Sequence, residues 1–119
     1  MRIITLVIGK KGAGKSKWIL EKKDQMLSEG WEKIDAINES DRNTAIFVLK
    51  SPTGEVAILN SGSDMHSIIK DFGAFLARHT EVSQIFTAIR PQKVNPRLYL
   101  WMKRELNNIE GDIEKRIEL

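Results

Sequence analysis

Residues 9–16 read Gly-Lys-Lys-Gly-Ala-Gly-Lys-Ser and directly follow the apolar run Ile3–Ile8. Three glycines and three lysines at the end of a buried strand suit one kind of chemistry, the wrapping of a polyphosphate by backbone. Gly9, Gly12 and Gly14 permit dihedrals that side chains forbid, and they keep Cβ atoms away from an incoming anion. Residues 15–29 are patterned as a helix, with Ile19/Met26 and Leu20/Leu27 on one stripe. The free N–H groups at its start would face the same anion, helped by the helix dipole. The expected cradle is the backbone from Gly9 through Ala13 and Gly14 to Lys17. Lys15 would reach the outer phosphates, and the Ser16 hydroxyl would sit on a magnesium ion. Lys10 and Lys11 either raise the local potential or are solvated.

The spacing G-x-x-x-x-G-K-S, placed between a strand and a helix, resembles the Walker A motif of the P-loop NTPase superfamily. The likeness is close over residues 2–29 and architectural beyond them. It implies a bound magnesium–nucleoside triphosphate, with ATP as the default and GTP as the alternative. It also implies hydrolysis or phosphoryl transfer of the nucleotide-kinase type. The motif does not choose among the activities of that superfamily.

Such enzymes usually carry an acid at the end of a second buried strand, which holds the magnesium shell or orients water. No strand here ends in two hydrophobic residues and an aspartate: "AIFVLKS" ends in Lys50 and Ser51, "EVAILNSGSD" in Asn60, and "IFTAIR" in Arg90. Asp64, four residues past Asn60, is the candidate acid and second metal ligand. The competing role for Asp64, or for Ser63, is to cap the helix that begins at Met65. Arg90, just past a strand, is the candidate for stabilising transferring phosphate charge. The hairpin after the first helix, preceded by Thr44, also resembles the switch region of small GTPases. That family's Asp-x-x-Gly and Asn-Lys-x-Asp segments do not occur.

The run 90–104 contains Arg90, Lys93, Arg97, Lys103 and Arg104 and no acid. It is a candidate contact for nucleic acid, with Tyr99 and Trp101 available to stack on bases or to pack. This supports an alternative function, a nucleotide-dependent module that binds nucleic acid or protein with little turnover. The net charge of +3 permits a polyanionic partner without requiring one.

The elements that must position these residues are legible in part. Strand-like runs at 2–8, 44–51, 55–61 and 83–90 alternate with helical patterns at 15–29, 65–78 and from Pro96 onward. "PTG" between two of the runs predicts a β-hairpin over 44–61. The expected architecture is therefore α/β, a three-layer sandwich of the P-loop type in the order β-α-β-β-α-β-α. Its mixed sheet would be small, with about four strands. Residues 31–43 are polar and weakly patterned. Leu98, Met102, Leu106, Ile109, Ile113 and Ile117 recur every three or four positions. They predict a helix over 95–118, long enough to serve homo-oligomeric association. The length of 119 residues predicts one domain spanning 1–119. With no cysteine, disulfides, thiolate metal sites and cysteine nucleophiles are excluded. The short apolar N-terminal run and the lack of a bilayer-length segment lead to the expectation of a cytoplasmic protein without a membrane partner.

Overall fold

A computed structural model describes all residues 1–119. The elements are β1 (Ile3–Ile8), α1 (Lys15–Ser28), β2 (Glu32–Ile37), β3 (Ile46–Lys50), β4 (Val56–Asn60), α2 (His66–Arg78), β5 (Gln84–Ile89), α3 (Pro96–Leu106) and β6 (Ile113–Glu118). The six strands form one mixed sheet in the order β2-β3-β4-β5-β1-β6. β4, β5, β1 and β6 run parallel to one another, and β3 and β2 are antiparallel additions at one margin.

β1 is apolar apart from the buried Thr5, because the sheet covers the strand on both faces. Ile4, Leu6 and Ile8 point into a core shared with α2 and α3, through Ile69, Phe72 and Met102. Val7 points the other way, into a second core with Ile19 and Met26 of α1, flanked by Phe47 and Phe86. Helices thus cover both faces, α1 on one and α2 with α3 on the other. The chain leaves the adjacent strands β1 and β5 toward opposite faces. In open parallel sheets that arrangement creates a crevice beyond the carboxyl ends of the strands.

Two expectations are corrected. The sheet has six strands rather than about four, because β2 and β6 were not legible as strands. β2 is an edge strand made of Glu-Lys-Ile-Asp-Ala-Ile, half exposed, with a bulge between Lys33 and Asp35. Its one-sided burial needs few apolar residues, so it carries no strong period.

The helix expected over 95–118 ends at Leu106. Asn107 (φ 46°) and Gly111 (φ 94°) turn the chain through left-handed backbone. Residues 113–118 then form β6, parallel to β1 in the register Ile3–Ile113 to Ile8–Glu118. Ile113 and Ile117 stand four apart, a spacing that also puts two residues on one face of a strand. Asp112 fixes the junction. Its carboxylate accepts from Arg2 Nη2 (2.7 Å), Arg2 Nε (3.1 Å) and the Ile109 N–H (2.9 Å). Arg2 Nη2 also donates to the Leu106 carbonyl at 3.0 Å, which ties the entry of β1 to the end of α3. No long amphipathic C-terminal helix is present to offer an association face. No helix of the chain is long and apolar enough to cross a membrane.

Candidate functional site

The carboxyl ends of β1, β4 and β5 deliver three loops to one edge of the sheet: residues 9–14, 61–65 and 90–95. A cleft of about 560 Å³ opens there, walled by the 11–17 segment on one side and by residues 42–44 and 61–65 on the other. Its lining is almost entirely polar.

The first wall is built by glycine geometry. The Gly9 N–H donates to the Ile89 carbonyl at 3.2 Å, so the loop departs from the sheet at that residue. A Cβ on Gly9 would stand 2.9 Å from Ala13 Cβ and 3.2 Å from Lys15 Cγ, so a side chain there would force the turn open. Gly12 (φ 84°) and Gly14 (φ 100°) both occupy left-handed backbone. Gly14 is the N-cap of α1 and contributes no side-chain cap, and the first bond of the helix runs from the Trp18 N–H to the Gly14 carbonyl. The N–H groups of Lys15, Ser16 and Lys17 therefore have no protein acceptor.

Lys15 lies over this turn and is only 6% exposed. Its ammonium forms no ion pair. Its protein partner is the Lys10 carbonyl, at 3.2 Å. Burial lowers its pKa; the nearby Asp64 charge works in the opposite direction, and Arg90 adds to the lowering. A buried, unpaired ammonium is unfavourable unless something anionic completes it. Ser16 Oγ faces the opposite wall, 3.4 Å from both Asn43 Oδ1 and the Ser61 carbonyl. Lys11 and Lys17 border the same cleft. Lys10 instead borders a smaller hollow of about 280 Å³ with Pro91, Val94 and Glu118.

Asp64 lines the cleft but caps no helix. Met65 is the N-cap of α2, and no side chain bonds there. The Asp64 carboxylate is instead held by Arg90, whose Nε donates to Oδ1 at 2.6 Å. Ser63 Oγ donates to the same oxygen at 3.3 Å. Burial alone would raise the Asp64 pKa. The Arg90 hydrogen bond and charge, with Lys15, outweigh it and hold the carboxyl below its usual value. Arg90 is thus turned toward Asp64 and is not among the residues bordering the cleft.

Asn60, at the position where an acid is usual, is fully buried. It donates to the Gly62 carbonyl (2.8 Å) and to Thr87 Oγ1 (3.0 Å), and it accepts from the Gly62 N–H (3.2 Å). A carboxylate could make only the last of these, so this position calls for an amide. Gly62 is equally constrained, because a Cβ would collide with Ile68 Cγ2 and lie 3.1 Å from the Asn43 carbonyl oxygen.

The basic run 90–104 is dispersed by the fold. Arg90 pairs with Asp64 and Lys103 with Glu114. Tyr99 is buried, and its hydroxyl accepts from Arg116 at 2.9 Å. Trp101 lies against His66, with ring centroids 3.9 Å apart. Lys93, Arg97 and Arg104 form no ion pair.

Sequence reasoning did not single out Arg42, Asn43 or Ser61 as parts of the cleft. Arg42 follows Asp41, whose Oδ1 accepts the Asn43 N–H at 3.0 Å and whose carbonyl accepts the Thr44 N–H at 3.1 Å. An aspartate closing its own turn two residues on is a local signal that could have located this turn. Nothing local shows that the turn faces residues 11–17.

The donor set suits a hard cation only in part. No three acidic or histidine side chains converge anywhere in the chain. Ser16 Oγ and one Asp64 oxygen provide one neutral and one charged oxygen. That fits magnesium, which typically keeps waters and substrate phosphates as its remaining ligands.

No family model matches the chain, and neither a curated protein nor a solved structure matches it.

Proposed function

We propose that the chain is a P-loop-type nucleotide-binding protein that takes a magnesium–nucleoside triphosphate into the 560 Å³ cleft and hydrolyses it. One observation carries this reading. Lys15 is buried without an acid partner, directly over a helix start whose N–H groups lack acceptors. A polyphosphate satisfies both at once.

In this reading the 9–17 backbone holds the phosphate chain and Lys15 bridges its outer groups. Ser16 and Asp64 hold the magnesium ion, which when bound neutralises charge on the phosphates. Water adds to the terminal phosphorus as the bond to the β–γ bridging oxygen breaks, giving a nucleoside diphosphate and orthophosphate. The protein contributes position and charge, the main requirements of a loose phosphoryl-transfer transition state. Arg90 acts through Asp64, setting its orientation and keeping it ionised. ATP is the default nucleotide and GTP the alternative.

One finding favours the second reading, a nucleotide-dependent interaction module with little turnover. The only carboxylate bordering the cleft is already engaged by Arg90. Two measurements decide between these readings. Titration with a fluorescent magnesium–nucleotide is expected to show binding that falls at least about 100-fold in Lys15→Ala, from the loss of two charge-assisted bonds. The circular dichroism spectrum should be unchanged. Equal affinity in that variant would refute the site. Phosphate release, with and without single-stranded nucleic acid, then separates hydrolysis from passive binding.

A further inference from the structure

We infer that Arg42, and not Arg90, is the residue that reads the terminal phosphate, so that the 38–44 turn distinguishes a nucleoside triphosphate from a diphosphate. The inference rests on the nucleotide reading of the cleft and extends it.

Two arginines stand near the mouth of the site. Arg90 is mostly shielded, with 14% of its side chain exposed, and its Nε is bound to Asp64 at 2.6 Å. Releasing it would strip the carboxylate of its strongest partner. Arg42 has no such commitment. It borders the cleft opposite Lys11 and Lys17, and its guanidinium has no hydrogen bond or ion pair with the protein. A guanidinium offers a planar fork that matches two phosphate oxygens, which a solvated lysine does not.

Its backbone is fixed while its side chain is free. The Asp41 side chain and carbonyl close the turn on Asn43 and Thr44. Asn38, in left-handed backbone at φ 52°, has its carbonyl bonded by the Asp41 N–H at 2.9 Å. Asn43 contacts Ser16 Oγ at 3.4 Å, and its carbonyl lies close to Gly62. The turn thus meets the phosphate-loop wall at the Ser16 end, the end assigned to the magnesium and the outer phosphates. A diphosphate held by residues 9–17 would leave Arg42 facing solvent. The third phosphate is the group whose charge reaches across the cleft.

The experiment compares a non-hydrolysable triphosphate analogue with the diphosphate, for adenosine and for guanosine, by calorimetric titration in magnesium buffer. The proteins are wild type, Arg42→Ala, Arg42→Lys and Arg90→Ala. Arg42→Ala is expected to lose about tenfold or more in triphosphate affinity, while diphosphate affinity stays within about twofold. Arg42→Lys should recover part of the loss, because it keeps the charge without the fork. Arg90→Ala should weaken triphosphate and diphosphate by similar factors. An equal loss on both nucleotides in Arg42→Ala, or no loss on either, overturns the inference while leaving the nucleotide site standing. Failure of the wild-type chain to bind any of the four nucleotides overturns both. Thermal melts of each variant verify that the fold survives.

Discussion

Replacing Asp112 by asparagine tests the junction that fastens β6 beside β1. The Asp112 carboxylate is almost completely covered, with 3% of its side chain exposed, and it holds Arg2 through two nitrogens. The Arg2 hydrogen bond is the main cause that brings its pKa down from 3.8 to about 2, against the opposing effect of burial. A depression of that size corresponds to about 2 kcal/mol of folding stability. Because the folded-state pKa is depressed, that stability is fully present above pH 4. It is lost as the pH falls from about 4 through 2, when the native carboxyl takes up its proton. Asp112→Asn should therefore be about 2 kcal/mol less stable at pH 7. For a chain of 119 residues this is a fall of about 8 °C in melting temperature. The assay is urea denaturation followed by circular dichroism at half-unit steps from pH 7 to pH 2. The gap between the two proteins should close over the lowest two units. A gap that persists unchanged to pH 2, or that never exists, refutes the claim that a charged Asp112–Arg2 pair holds this corner. The corner matters to the site because β6 continues to Leu119, whose N–H donates to the Ile8 carbonyl at 2.9 Å. Leu119 Cβ also lies 3.5 Å from where a Gly9 side chain would begin, so β6 buttresses the entry to the 9–14 turn.

Other perturbations have equally direct readings. Asn60→Asp should cost about 3 kcal/mol or more at neutral pH, because a buried carboxylate would face the Gly62 carbonyl without a donor; denaturant midpoints at pH 7 and pH 4 measure this, and the defect should shrink at the lower pH. Gly62→Ala should lose about 1–3 kcal/mol through its collision with Ile68 and the Asn43 carbonyl. Gly73→Ala should stay within about 1 kcal/mol of wild type, because its new methyl meets only the mobile end of Glu105 and the helix gains from alanine. The same melts that compare these two variants would expose an error if Gly73→Ala proved the worse. Lys15→Met, which replaces a buried unpaired ammonium with an apolar side chain of similar length, should raise the melting temperature of the nucleotide-free protein while removing nucleotide binding.

The sequence pattern located most of this fold for identifiable reasons. β1, β3, β4 and β5 are buried on both faces, so their interiors are apolar apart from the buried Thr5 and Thr87. Asn95 and Pro96 marked the start of α3, and the Asn95 side chain does accept the Leu98 N–H at 3.2 Å. The two edge strands were hidden. β2 and β6 each need only one partly covered face, and charged residues fill the rest. The stripe Leu98–Met102–Leu106 is helical, but its apparent continuation through Ile113 and Ile117 belongs to a strand that shares the same spacing. At the cleft, the glycine spacing pointed to residues 9–17 because that turn is local in sequence. Asp64 was singled out from its place after β4. Its pairing with Arg90 bridges two loops and carries no periodic signal. His79 is drawn to Asp35 of β2, with its Nε2 2.8 Å from Oδ2. That contact exists only because the sheet places the end of α2 over β2.

The position of β1 also governs the order in which the chain can assemble. Ile3 lies beside Gln84 on one side and Ile113 on the other, so the strand that leads into residues 9–16 has no neighbour close in sequence. On a ribosome adding 5–20 residues per second, roughly 5–20 s pass between the emergence of β1 and that of β6. Throughout that interval the β3–β4 hairpin can already have paired, while an apolar segment waits with both edges open. Such late closure of distant contacts slows folding and invites association between nascent chains. Chaperone demand during synthesis should therefore track this first strand rather than the cleft it supports.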